Sequence, residues 1–171
     1  LDHGDYDLIV TFLSLAKGKM PVIAKNAKKS RKRFAGLLEP FTALELVCRP
    51  ARGKGMPILQ EASMDSPFAG IRSDVFKTLY ASYWAELVNG WMEEWKPQPR
   101  IYRLLHNAFD SLDRDMAVPE EISIIFQMCF VSLAGFTPKL DFCGVCGKAL
   151  DRISGGTVIF DLEKQPQGKE I

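Results

Sequence analysis

The sequence predicts an α+β fold in which a small strand-rich unit is followed by an all-helical one. Three observations predict it. Short β-branched and apolar runs, punctuated by Gly and basic turn signals, fill the first part of the chain. From about residue 70, large apolar side chains recur at helical spacing instead. The charge is also divided: eleven Lys or Arg lie between Lys17 and Lys54 against only Glu39 and Glu45, a balance of +9 within a chain whose overall charge is +1. The division between the units is placed at residues 1–67 and 68–171.

The first strand is Asp7 to Leu13 (DLIVTFL), rich in β-branched and apolar residues. Lys17-Gly18-Lys19 reads as the turn of a hairpin into Met20 to Ala24. Phe41 to Cys48 alternates apolar and polar residues through Leu44, Glu45 and Leu46, and Pro57 to Ala62 follows the Gly-rich turn Arg52-Gly53-Lys54-Gly55. With one more strand expected before Asp7, the count is five, which suits a small five-stranded β-barrel of the OB type.

Ser73 is the expected cap of the first helix, along which Val75, Phe76, Leu79, Tyr80, Tyr83, Trp84, Leu87, Val88 and Trp91 form one wide apolar face. Pro97 and Pro99 end it. Ile101, Leu104, Leu105, Ala108, Phe109 and Leu112 define a second helix. A third opens with Pro119, Glu120 and Glu121, is expected to bury Ile122, Ile125, Phe126, Cys129, Phe130 and Leu133, and stops at Gly135. Cys143-x-x-Cys146 forms a knuckle-like turn, Thr157 to Phe160 is a candidate short strand, and the stretch after Glu163 is polar and expected to fray.

Composition narrows the function classes. An apolar fraction of 47% and a charged fraction of 25% are those of a globular chain rather than a disordered one. No apolar run approaches the ~20 residues that cross a bilayer, and Leu1-Asp2-His3 opens no secretory signal, so a cytoplasmic protein with no membrane partner is expected. Four cysteines fall short of a disulfide framework. The chain starts on Leu1 and enters a strand-like run almost at once, so both ends are read as incomplete.

The residues that could carry chemistry are mostly cations. Lys25, Lys28, Lys29, Arg31, Lys32 and Arg33 fall within nine positions with no acid among them. Such a loop attracts phosphates, and its binding would fall steeply with salt. A solvated charge run is the alternative. Lys19, together with a second cluster of Arg49, Arg52 and Lys54 in a Gly-rich loop, completes the candidate nucleic-acid-binding set. Phe34 and Phe41 flank the basic run, either as platforms for stacked bases or as barrel core. Arg100, Arg103 and Arg114 lie near aromatic helix surface and could hold a carboxylate beside an apolar pocket, unless they are simply solvated. Cys143 and Cys146 supply two of the four ligands of a structural zinc site, so this chain by itself is expected to hold no closed site and no cofactor. Cys48 and Cys129 are read as buried packing. His3 and His106 have no catalytic partner at recognisable spacing, and no Walker A, dinucleotide or zincin motif occurs, so an enzyme is not expected.

Asp7, Ile9, Val10 and Thr11, then Gly18 and Lys19, then Ala24, Lys25, Ala27 and Lys28, then Leu38, Pro40 and Phe41 occur in the order and spacing of the N-terminal domain of RecO, which this sequence resembles. The later elements LYASYWAELVNGW and SLAGFTPKLDFCGVCG match in order as well. Asn26 departs from the glycine usual in that loop, but Asn tolerates positive φ.

The resemblance implies a recombination mediator that binds single- and double-stranded DNA and anneals complementary strands. It would bind the C-terminal tail of single-stranded DNA-binding protein, act with RecR and with RecF at gaps, and help load RecA, in association with the bacterial nucleoid. It also implies one of two things about zinc: a second cysteine pair farther along completes the site in some family members, and others have lost the site. The rival readings are a zinc-ribbon-containing interaction adaptor and an RNA-binding OB-fold protein.

Overall fold

The computed structural model describes all residues except 1, 4, 31, 32, 35, 52, 54, 138–140, 144–146 and 150–171. Among the described residues five strands form one sheet: β1 (Asp2–His3), β2 (Asp7–Ser14), β3 (Gly18–Ala24), β4 (Ala43–Arg49) and β5 (Ile58–Ser66). Their order is β1-β2-β3-β5-β4, with β3 and β5 the one parallel pair. This is the Greek-key order of an OB barrel, and it carries the fold class predicted from strand count. The strand expected before Asp7 is present as the two-residue β1.

Side-chain alternation along β3 explains how so short a sheet makes a core. Gly18, Met20, Val22 and Ala24 are buried while the residues between them are not. Leu59 of β5 and Phe34 join Met20, Val22 and Ala24 in the barrel interior, with Val10, Phe12, Leu46 and Cys48 packed around them. Register shifts after Ala43 and after Val47 mark irregularities that bend β4.

Among the described residues four α-helices follow: α1 (Ala69–Ser73), α2 (Val75–Trp91), α3 (Pro99–Asp113) and α4 (Pro119–Leu133). The expected cap at Ser73 is corrected. Ser73 ends the short α1, and Asp74 caps α2, its side chain accepting the Lys77 N–H at 3.0 Å. The carboxylate serves because it reaches the third helical N–H from an extended backbone. Pro99 and Pro119 each occupy a first turn, where a missing N–H costs nothing. At the end of α4, Gly135 takes a φ of +90°, and its N–H and that of Phe136 bond back to Ser132 O and Val131 O at 3.1 and 2.9 Å. These paired bonds close the helix in a Schellman motif.

The helical core is narrower than the sequence suggests. Trp84, Val88, Ile101, Leu105, Leu112, Ile122, Phe126 and Phe130 are buried within it. The Trp84 ring stacks on Phe126 at 5.3 Å, and its Nε1–H donates to Ser123 Oγ at 3.2 Å. By contrast Val75, Phe76, Leu79, Tyr83 and Trp91 of α2 are exposed, as are Ile125, Cys129 and Leu133 of α4. The wide apolar stripes were expected inside; only the sector of each that meets α3 and its partner helix is buried. Cys129 is therefore a surface thiol rather than core packing.

The helices dock on one end of the barrel. Phe41 meets Phe109 edge-on at 5.6 Å, and Leu13, Phe41 and Ala43 pack against the helical core. Lys19 ties the same end: its Nζ donates to Asn89 O at 2.8 Å, and its carbonyl accepts the Trp95 N–H at 2.9 Å. Gly18, at φ +74°, lies so close to the 96–97 peptide that a Cβ would fall 2.1 Å from Lys96 O.

Candidate nucleic-acid interface

The described cations of the basic run and Arg49 lie around the close of β3 and the junction of β4 and β5. There β2 begins at Asp7, β3 ends at Ala24, β4 ends at Arg49 and β5 begins at Ile58. Ile58 pairs with Ile23 on one side and Arg49 on the other. Arg49 and Ile23 thus lie two strands apart across Ile58; because β3 and β5 run parallel, the basic connection after Ala24 continues in the direction of β5, while the connection between β4 and β5 leaves Ile58 in the other direction. Loops between β1 and β2 and between β4 and β5 are the ones that OB folds use to hold oligonucleotides.

The basic loop is shaped by its neighbours. Asn26 adopts φ +56°, the left-handed conformation that the sequence allows it, and Asp7 Oδ1 accepts its backbone N–H at 2.8 Å. Ala27–Lys29 then make one 3-10 turn, with the Lys28 N–H donating to Tyr6 O at 3.2 Å. Lys25, Lys28, Lys29, Arg33 and Arg49 are all exposed. Lys29 Nζ lies 3.4 Å from the centre of the Tyr6 ring. The Arg33 guanidinium donates to Lys25 O at 2.9 Å and stacks over Phe34 at 4.8 Å. Arg31, Lys32, Arg52 and Lys54 lie outside the described residues.

Three expectations at this site are corrected. Phe34 is 4% exposed and plugs the barrel, so no base can stack on it. Phe41 is half-buried against Phe109 at the opposite end. Phe34 fills the barrel interior and Phe41 the seam with the helical core, where close packing calls for large apolar side chains. Lys19 is also removed from the candidate set, since its ammonium is spent on the helical unit at the end away from the other cations.

The sequence pattern described as Recombination protein O N terminal matches residues 1–68, and that described as Recombination protein O C terminal matches residues 72–156. The chain belongs to the RecO family. A relative named DNA repair protein RecO, from Desulfosudis oleivorans, is 43% identical over 159 residues, covering 92% of this chain and 61% of that protein. Relatives of the same name from Desulfatibacillum aliphaticivorans and Pelobacter propionicus are 40% and 35% identical, over 94% and 88% of this chain and 63% and 61% of their own lengths. This chain thus spans little more than three fifths of the RecO proteins it matches. The N-terminal RecO pattern covers the barrel, and the C-terminal one the helices.

Elsewhere, a cavity of about 1100 Å³ lies between the barrel and α2 and α3 and is lined mainly by apolar side chains such as Phe12, Leu44, Met92 and Phe109. It does not include the cationic loop. Among the arginines considered for a peptide site, Arg100 and Arg103 are exposed on α3, while Arg114 is paired with Asp110 at 2.8 Å. Cys143 sits in a tight reversal: its N–H donates to Lys148 O at 2.8 Å and its carbonyl accepts from Gly147 N–H at 2.9 Å. Cys146 and Thr157 to Phe160 lie outside the described residues, among which no group of three or more His, Cys, Asp or Glu assembles a metal site. No helix among the described residues is long and apolar enough to cross a membrane. Tyr6 is the functional candidate that sequence reasoning missed. It stands directly before the first strand, and assigning β1 would have placed it in the β1–β2 connection.

Proposed function

We propose that this chain is a mediator of DNA repair and homologous recombination that binds single- and double-stranded DNA at the cationic end of its barrel and acts by binding rather than by catalysis. The observation that carries this reading is the register at Ile58, which leaves only β5 between Arg49 and the strand that leads into Lys25, Lys28 and Lys29. Cations on one end with a neutral or acidic remainder give a polyanion one side to approach. Membership in a family whose relatives are named for DNA repair supports DNA as that polyanion. Two strands held against one positive surface have their mutual repulsion neutralised, which is what annealing requires.

In this reading the partners are those of the family: RecR, the C-terminal tail of single-stranded DNA-binding protein and, indirectly, RecA and RecF, in the bacterial cytoplasm at the nucleoid. Arg100 and Arg103, exposed on α3, are suited to the acidic tail. Amide shifts on adding tail peptide should fall in the helices, and shifts confined to residues before Pro67 would refute that placement. Zinc, where bound, needs ligands beyond Cys143 and Cys146, supplied by a longer chain.

The test is a salt-dependent titration with single-stranded DNA, duplex and RNA of one sequence. Joint charge reversal of Lys28, Lys29, Arg31 and Lys32 should weaken DNA binding and flatten its salt dependence. Unchanged affinity after that reversal would sink the assignment. Equal or tighter binding to the RNA would favour an RNA-binding protein instead.

A further inference from the structure

A single strand differs from a duplex in offering open base faces, and a protein that holds it by phosphates alone leaves those faces unused. The barrel contains four aromatic residues, all described: Tyr6, Phe12, Phe34 and Phe41. Three of them pack into the two cores. Tyr6 is the exception, with 43% of its surface exposed. It lies in the β1–β2 connection, next to the start of β2, whose Leu8 pairs with Ala24 at the head of the basic loop. Its backbone carbonyl is fixed by the Lys28 N–H, so the residue is held in place independently of its ring.

We propose that Tyr6 is a base-stacking platform for single-stranded DNA and that Lys29 is its removable cover. In the free protein the Lys29 ammonium occupies one ring face at 3.4 Å, drawn there by the negative face of the aromatic ring. An arriving strand offers this pair a better arrangement: the base takes the ring face, and the ammonium moves to a neighbouring phosphate. Lys29 can make that exchange because its side chain is long, exposed and rotatable. A duplex, whose bases are already stacked, cannot use the ring and would bind through the cations alone. Tyr6 therefore favours single strands within a surface that otherwise accepts either form. This inference rests on the reading of the barrel end as a DNA site.

The test uses the whole chain, an oligothymidylate, an abasic strand of the same length and a duplex, each titrated at several salt concentrations. Tyr6→Ala should weaken oligothymidylate binding about tenfold, within the range for loss of one stacked base, while leaving abasic and duplex binding within twofold of the parent. Tyr6→Trp should restore it. Lys29→Met should lower the single-strand salt slope by about 0.7, the loss of one phosphate contact. Tyr6→Ala weakening all three ligands alike would make Tyr6 an anchor of the basic loop and overturn the proposal, as would no effect at all, while the DNA reading stood. If the parent protein bound none of the three with salt dependence, both would fall.

Discussion

Arg49 and Ile23 flank a single residue, Ile58, which is the register partner of both. At strand spacings of ~4.8 Å this sets their backbones about 10 Å apart, although 25 residues of chain lie between them. Arg49→Glu should therefore weaken DNA binding in the same way as reversal of Lys28 and Lys29, reducing the salt slope by about 0.7 for a single strand or 0.9 for a duplex. A slope unchanged by Arg49→Glu would place this residue off the DNA path.

Lys19 supplies the contrast. Lys19→Met removes the 2.8 Å bond to Asn89 O and should cost at most about 1 kcal/mol, lowering the melting midpoint by roughly 2–4 °C. DNA affinity should stay within twofold of the parent, because the ammonium faces the helices. A salt slope reduced as much as by Arg49→Glu would show that Lys19 reaches DNA after all.

Gly18 should be the least replaceable glycine of the barrel. Gly18→Ala combines a left-handed backbone with a Cβ 2.1 Å from Lys96 O, and we expect a loss of about 2–5 kcal/mol in denaturant unfolding. Gly53 has a similar φ of +70° with nothing within 4 Å of its Cβ position, so Gly53→Ala should cost only the backbone strain of roughly 1–2 kcal/mol. Equal losses at the two sites would mean that the barrel and helices are not in contact at Lys96 in solution.

Ser123 accepts from both the Trp84 indole at 3.2 Å and the Gln127 amide at 3.1 Å, and it is buried. Ser123→Ala leaves the buried indole N–H without its acceptor and should destabilise the protein by about 1–3 kcal/mol. Thermal unfolding measures this directly, and an unchanged midpoint would argue against the bond.

Two cysteines should separate by reactivity. Burial pushes the Cys48 thiol above its ordinary value of 9.0, whereas Cys129 lies exposed on α4. At pH 8 a thiol-selective reagent should modify Cys129 in the folded protein well before Cys48. Because the folded state holds the Cys48 proton more tightly, its contribution to stability is constant below pH 9 and declines as pH rises further. Cys48 reacting first would contradict the packing of β4.

Much of the fold was legible because its signals are local. The alternation in β3, the prolines opening α3 and α4, and the left-handed tolerance of Asn26 each act within a few residues. The inner sector of α2 was not, because the period that marks Trp84 and Val88 as apolar marks Val75 and Leu79 equally; which of them meets α3 and α4 is decided by how the helices cross. At the candidate site the cations were visible as a run, but their meeting with Arg49 depends on a parallel pairing between distant strands. The aromatics misled for a related reason. Phe34 lies beside the basic run in sequence, yet the chain turns it inward, while Tyr6 reaches the same place from another strand.

Phe68, 4% exposed, belongs to the helical core although it directly follows the last barrel segment, and Leu13, Phe41 and Ala43 of the barrel side press against that core. A fragment cut after Pro67 would carry every described cation of the interface and still be a poor reagent. It would present three newly bared apolar side chains at the cut face and lack the partner that covers them. Its stickiness toward plastic, membranes or itself could then be mistaken for affinity, so experiments on the DNA surface belong on the undivided chain.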